Sequence, residues 1–336
     1  MALSVSLALC VQGCGERPDA AAEQEPMKLR VVYIPYLSFA PLRIAQEEGY
    51  YAEQNLDVEF VNLTRTVHGV PLLAQGKVDV LGGVINSGLL NSIARGANVR
   101  MVADKGHVTR GPDAYMAILV GNQMVEQGVL SDPSLLRGKT VLHTEDNLGS
   151  YLIELGMQKL GLNPEDVETS FASSASRFGA AEQGAMDLAL MIEPWLTRTV
   201  DAGYGRPLVS DFEVMPDYQV ACIWFGPSLL EENPEAGRRF MVAYLKAVRQ
   251  YGLGKTERNL AIISASTGLE PDLLSRAHWV PCHADGSINV ESVMDFQAWA
   301  ERKGFVDRTL SPEEFWDPSF AQYACGVLDG TNGEVE

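Results

Sequence analysis

The sequence predicts an α/β fold of two doubly wound lobes joined by a two-strand hinge. Three observations predict it. Strand and helix patterns alternate from Leu29 onward, the alternation restarts after Tyr115–Val120, and beyond Pro227 the chain reads as almost wholly helical.

In the first block Leu29–Ile34 is a β-rich run. Pro41 opens a helix at a first-turn position and Gly49 closes it. Asp57–Val61 alternates like a strand, and Thr66–Gln75 reads as a helix stopped by Gly76. Val78–Leu81 is a short strand leading to Gly82-Gly83. Ser87 caps a helix that ends at Gly96, and Val99–Ala103 is a further strand. In the second block Thr140–His143, Glu168–Phe171 and Leu188–Ile192 are strands. Ser150–Leu160, Ser176–Gln183 and Pro194–Ala202 are helices between and after them. Tyr218–Phe225 is an apolar strand. The tail holds helices over Pro234–Tyr251, Arg258–Ser266, Pro271–Ala277 and Val290–Lys303. The second block reads as an insertion into the first, entered through Tyr115–Val120 and left through Tyr218–Phe225. The expected lobes are therefore 28–118 with 224–330, and 119–223.

The chain has 336 residues, 46% apolar and 21% charged, a globular composition long enough for two domains. Net charge is −18, from 44 acidic and 26 basic residues, with no dense Lys/Arg run. A surface that holds duplex nucleic acid needs a basic stripe, so no nucleic-acid partner is expected. No apolar stretch reaches the roughly 20 residues of a membrane span. Ala2–Val11 is short, like the apolar core of a signal peptide, and Val11-Gln12-Gly13-Cys14 follows it. Residues 1–14 read as a signal peptide with a lipobox-like end and Cys14 as the lipidated residue. No Lys or Arg precedes the apolar run, and an ordinary cleaved signal is the alternative. Residues 15–27 are rich in Ala, Glu, Asp and Pro and read as a flexible tether. Cys222, Cys282 and Cys325 show no CxxC spacing, so no metal site is expected. Buried thiols, or a Cys282–Cys325 disulfide in an oxidising compartment, are the two readings.

Several segments carry a resemblance. Leu29-Arg30-Val31-Val32-Tyr33-Ile34-Pro35 leads into Ala40-Pro41-Leu42-Arg43-Ile44-Ala45-Gln46-Glu47-Glu48-Gly49-Tyr50-Tyr51. Gly76-Lys77-Val78-Asp79-Val80, Ala94-Arg95-Gly96-Ala97 and Leu136-Arg137-Gly138-Lys139-Thr140-Val141 follow in order. Gly161-Leu162-Asn163-Pro164-Glu165-Asp166-Val167, Glu193-Pro194-Trp195 and Glu231-Glu232-Asn233-Pro234-Glu235 complete the set. The chain from about Leu29 to Lys303 thus resembles the nitrate/sulfonate/taurine and thiamine-pyrimidine-precursor substrate-binding proteins of ABC transporters. The resemblance implies a type II periplasmic binding fold, with the ligand in a cleft between the lobes. It also implies a permease and an ATPase as partners, and an extracytoplasmic, lipid-anchored, monomeric protein without a cofactor.

In doubly wound sheets ligands lie beyond the carboxyl ends of strands, near helix N-termini. That rule selects five segments. Pro35-Tyr36-Leu37-Ser38-Phe39 offers two rings and a hydroxyl, and Tyr36, Ser38 and Phe39 are candidates. Gly82–Ser87 offers open backbone, with Asn86 and Ser87 as ligand contacts or helix caps. Asp104-Lys105-Gly106-His107 reads as a polar loop, with Asp104 and Lys105 as candidates. His143–Ser150 contributes His143, Asn147 and Ser150, with Glu145 and Asp146 beside them. Carboxylates there would oppose a small anion. Arg177 opens a helix and could pair with a ligand carboxylate, although a surface arginine is the ordinary reading. Glu193 can accept from an amine-bearing edge, and Trp195 offers a stacking face; the resemblance places both at the cleft.

Rings with several carboxylates favour a planar, amine-bearing ligand such as a pyrimidine precursor. Nitrate, a sulfonate or an aromatic carboxylate is the alternative. An enzyme on the same fold is the rival of a different class. The pyrimidine-precursor synthases resemble this family but carry a cysteine-rich iron-binding segment. This chain has no cysteine cluster, and its five histidines are scattered, so catalysis is not expected.

Overall fold

The computed structural model describes residues 25–144 and 147–330, with only the backbone of Asn147. Cys14, the expected tether through Gln24, and Glu145 and Asp146 lie outside the described residues.

Among the described residues ten strands make two five-stranded sheets. The first holds β1 (Met27–Tyr33), β2 (Leu56–Asn62), β3 (Val80–Val84), β4 (Arg100–His107) and β10 (Gln219–Phe225), in the order β2-β1-β3-β10-β4. The second holds β5 (Met116–Gly121), β6 (Thr140–His143), β7 (Glu168–Phe171), β8 (Leu188–Ile192) and β9 (Gly205–Ser210), in the order β7-β6-β8-β5-β9. The two orders correspond strand for strand. In each sheet three parallel strands are followed by one antiparallel strand, β10 in the first and β5 in the second. That antiparallel strand carries the chain in from the other sheet. The type II periplasmic-binding arrangement of two α/β lobes is therefore present.

Burial explains why β5, and β10 after its first residue Gln219, read as unbroken apolar runs. Every residue of Met116–Gly121 and of Gln219–Phe225 is buried, as expected of central strands covered on both faces. The edge strand β2 alternates instead. Helix starts follow the local chemistry. Asn86 Oδ1 accepts from the Leu89 amide at 3.1 Å, and Asn233 Oδ1 from the Ala236 amide at 3.1 Å, each satisfying an orphan donor of the first turn. Gly49 closes the helix Ala40–Glu47 with φ 76°, a conformation costly for residues with a Cβ.

Because β5 pairs wholly within the second sheet and β10 wholly within the first, the chain changes sheets in 108–115 and 211–218. The expected boundaries at 118/119 and 223/224 fall inside those strands. The crossing segments touch: the Val108 amide donates to Tyr218 O at 2.8 Å, and Arg110 pairs with Asp217. The buried Asp211 carboxylate accepts from the Tyr115 and Met116 amides at 3.2 and 2.8 Å, fixing the start of β5. Burial pushes this carboxyl up to about 6, against the pull of those amides.

The helical tail packs on the first sheet but also reaches the second lobe. Tyr151 and Tyr218 both donate to Asp295 Oδ2, at 2.7 and 3.1 Å. Trp299 Nε1 donates to Glu154 Oε2 at 3.0 Å, and Lys303 pairs with the same oxygen at 2.8 Å. These contacts join the helices Asn147–Lys159 and Val290–Arg302.

Two sequence-based segments differ. Asp104-Lys105-Gly106-His107 is no loop but the second half of β4, and Gly82-Gly83 lies within β3. Charged residues lower strand propensity, and partners that satisfy these ones are distant in sequence: Ser38 for Lys105, 67 residues away, and Gln219 and His283 for Asp104, 115 and 179 residues away. Cys282 and Cys325 are free thiols, so the disulfide reading is replaced by that of unpaired cysteines. Among the described residues no helix is long and apolar enough to cross a membrane.

Candidate functional site

A cavity of about 380 Å³ lies between the lobes and is lined by both. Its walls are the ends of the parallel strands and the helix starts after them, where doubly wound sheets bind ligands. From the first lobe come Tyr36, Ser38 and Phe39 after β1, Thr64–Val67 after β2, Val84 with Asn86–Gly88 at the end of β3, and Lys105 from β4. From the second come Tyr115 and Met116, Thr144, Leu148, Gly149, Ser174, and Leu190, Ile192, Glu193 and Trp195 around the end of β8. A more open hollow of about 640 Å³ runs along Gln46–Val58 and the chain near Glu25. It belongs to the first lobe alone and to the opposite end of its strands.

Lys105 is 1% exposed. Its stem lies across Gly82, where a Cβ would come within 2.8 Å of Lys105 Cε and 3.1 Å of Phe39. The glycine in β3 thus makes room for this lysine. Its Nζ donates to Ser38 Oγ at 2.9 Å and sits 3.6 Å above the centre of the Phe39 ring. Burial pushes the ammonium down to about 7, with the Asp104 charge among the opposing influences. Phe39 is 2% exposed, so it supports Lys105 and offers the cavity little area, whereas Tyr36 is 40% exposed.

Glu193 is 3% exposed and directly follows β8. Oε1 accepts from Thr197 Oγ1 at 2.7 Å and the His278 amide at 3.1 Å, and Oε2 from the Thr197 amide at 3.1 Å. Burial raises its pKa, opposed by those donors. The residue therefore ties the second lobe to the tail as well as lining the cavity. Trp195 follows at the helix start, half-buried. Its ring packs on Phe178 at 5.6 Å, with the Arg198 guanidinium 5.1 Å from its centre. The rest of the ring borders the cavity. Asn86 lines the cavity while its oxygen caps a helix, so the two sequence readings of this residue coexist.

Other sequence candidates sit elsewhere. Asp104 faces away from the cavity, because successive strand residues point to opposite faces; it is fully buried against His107, His283 and Gln219. His143 is buried at the end of β6, its ring 4.8 Å from Phe171. Arg177 is no surface arginine: it is 0% exposed and donates to Leu190 O and to Ser174 Oγ. It braces two lining residues from behind. Ser150 lies one turn into its helix, outside the lining, and the Asn147 side chain is outside the described residues. Sequence reasoning missed Arg65 and Tyr115. Arg65 follows β2, and the strand-end rule applied to that strand would have found it. Tyr115 shares Ser38 with Lys105, a contact no local pattern announces.

Glu145 and Asp146, expected beside the cleft, lie outside the described residues. Among the described residues Glu193 is the lining carboxylate, and Lys105 and Arg65 are the lining cations.

A family model described as NMT1/THI5 like matches residues 37–251, well over half of the chain. The chain belongs to the NMT1/THI5-like family. Within reach of this family lies the 4-amino-5-hydroxymethyl-2-methylpyrimidine phosphate synthase THI13 of Saccharomyces cerevisiae, 27% identical over 221 residues. The match takes in 62% of this chain and 61% of the yeast protein's length. Among solved structures, the ligand-binding component of an ABC-type import system from Staphylococcus aureus, with zinc bound, superposes with a TM-score of 0.72. It is 16% identical and covers 89% of this chain and 99% of that one. The periplasmic nitrate-binding protein NrtA of Synechocystis gives a TM-score of 0.70 at 16% identity, over 91% of this chain and 90% of that one. At such identities these likenesses establish the fold.

Proposed function

We propose that this NMT1/THI5-like chain is the extracytoplasmic ligand-capturing component of an ABC importer. It takes a small planar heterocyclic or aromatic molecule, pyrimidine-precursor-like in shape, and delivers it to a permease with its ATPase. The observation that carries the proposal is the cavity's position between two lobes joined by two crossing segments. A ligand there contacts both lobes, so binding energy can draw them together. Tyr36 and Trp195 give aromatic faces from opposite lobes, and Asn86, Ser87, Thr144 and Glu193 give polar edges. The expected leader fits this role, with Cys14 lipidated and residues 15–27 as tether. So does a monomer acting at the outer face of the membrane or in the periplasm.

The test is a thermal-shift and calorimetric screen of the purified protein. Aminopyrimidines, flavins, aromatic acids, alkyl sulfonates and nitrate form the panel. A true ligand raises apparent stability by mass action, about 2.7 kcal/mol at a hundred times its Kd. Saturating ligand should also reduce the radius of gyration in X-ray scattering. Response to nitrate or short sulfonates alone would sink the planar-ligand reading. An unchanged radius of gyration at saturation would sink lobe closure.

Two other readings have specific support. Lys105 with Arg65 favours a ligand bearing a carboxylate or sulfonate on its ring, and the same screen separates that class. The name of the yeast relatives favours catalysis on a pyrimidine. Product formation from a bound pyrimidine or its precursor would replace the transport reading.

A further inference from the structure

Asp104, His107 and His283 form a cluster outside the cavity, at the foot of the hinge. Asp104 is fully buried. Its Oδ1 accepts from the Gly106 amide and from Gln219 Nε2, both at 2.6 Å. These donors turn Oδ2 toward two imidazoles, His107 Nδ1 at 2.7 Å and His283 Nδ1 at 3.2 Å. The His283 amide donates to the same oxygen at 2.7 Å, and His283 Nδ1 also lies 2.9 Å from Ser287 O. The rings stack with centres 3.8 Å apart at 8°. One carboxylate oxygen and two imidazole nitrogens lie within 4.8 Å of one another.

Protons can hold this arrangement, since an imidazole protonated on Nδ1 can donate to Oδ2 from either ring. One imidazolium can balance the buried carboxylate, but two stacked cations at this spacing repel. A divalent ion would take the place of those protons, offsetting the carboxylate with one charge to spare and engaging both nitrogens at once. Two imidazoles with one carboxylate suit borderline ions such as Zn²⁺, Co²⁺ or Ni²⁺. The donors on Oδ1 are the kind of outer-shell support that metal-binding carboxylates receive. We infer that Asp104, His107 and His283 bind one divalent transition-metal ion, with solvent completing the shell. Parallel rings aim their lone pairs in parallel, so loading requires the rings to splay. His283, whose side chain is 40% exposed, is the one placed to turn, giving up Ser287 O. Binding displaces the imidazole protons, so affinity falls as pH falls. His107 ends β4 and Gln219 opens β10, so the ion would sit where both hinge segments join the first sheet.

The test uses tag-free protein stripped with a chelator and then titrated with ZnCl₂ by calorimetry, and with CoCl₂ by visible absorption. One equivalent should bind, with cobalt bands of a low-coordinate site. His283→Ala should weaken binding on the order of tenfold or more, with a native circular-dichroism spectrum. Asp104→Asn should weaken it too, but a buried position risks the fold, so the exposed His283 decides. No stoichiometric binding by the wild type, or equal binding by His283→Ala, would overturn the assignment. Binding that does not weaken from pH 7.5 to pH 5.5 would also overturn it.

Discussion

Lys105→Met should stabilise the ligand-free protein at pH 6. The native ammonium is buried with one hydrogen-bond partner and an aromatic face, and its pKa falls from 10.5 to about 7. That fall corresponds to about 5 kcal/mol against the folded state at any pH below 7. Methionine keeps most of the stem's contact with Phe39 and removes the charge. After a loss of about 1–2 kcal/mol for the Ser38 hydrogen bond and imperfect packing, a gain of about 3 kcal/mol remains. The sign with pH follows from proton counting. Between pH 7 and 10.5 the unfolded chain holds the lysine proton and the folded chain does not, so wild-type stability rises with pH. Methionine has no such dependence. The variant's advantage should therefore shrink by about 2 kcal/mol between pH 7 and pH 9 and continue to shrink toward pH 10.5. Urea unfolding of both proteins at each pH, with matched m-values, measures this difference and cancels every other titrating group. An advantage that stays constant from pH 6 to pH 9, or a variant less stable than wild type at pH 6, would refute the reasoning.

Trp195→Ala should weaken binding of the best planar ligand about tenfold, in line with the roughly 0.5–1.5 kcal/mol of ring stacking plus lost area; calorimetry reads it. Gly82→Ala places a methyl 2.8 Å from Lys105 Cε. It should cost about 1–3 kcal/mol by chemical denaturation, and less in the Lys105→Met background, where a softer side chain can yield. Gly121→Ala directs its methyl to 1.9 Å from the Met186 carbonyl oxygen. The backbone cannot give way cheaply, so soluble yield should collapse or the melting temperature fall by more than for Gly82→Ala.

The fold was legible because strand and helix patterns with periods of 2 and 3.6 alternate cleanly, and because β5 and β10 are apolar on both faces. The cleft was legible in outline, since Tyr36, Asn86, Ser87, Glu193 and Trp195 all stand at strand ends where topology puts ligands. What escaped depended on distant partners. Asp104 and Lys105 look like a loop until Gln219, Tyr244 and His283 are seen to satisfy the Asp104 side chain and backbone. Arg177 looks like a surface residue until Leu190 is found above it. His107 and His283 are 176 positions apart in the sequence, so no spacing rule could pair them.

The placement of β10 in the first sheet has a consequence for how the chain is made. β10 sits between β3 and β4, so the first sheet stays split until residue 225 has emerged. Meanwhile the whole second sheet, β5 to β9, is already complete. The second lobe can therefore assemble early from neighbouring segments, while the first waits with unpaired edges on β3 and β4. Pairings of long sequence separation form slowly, and open edges invite association. The vulnerable species during synthesis is thus a chain with a finished second lobe and an unclosed first one, the state that a chaperone would have to hold.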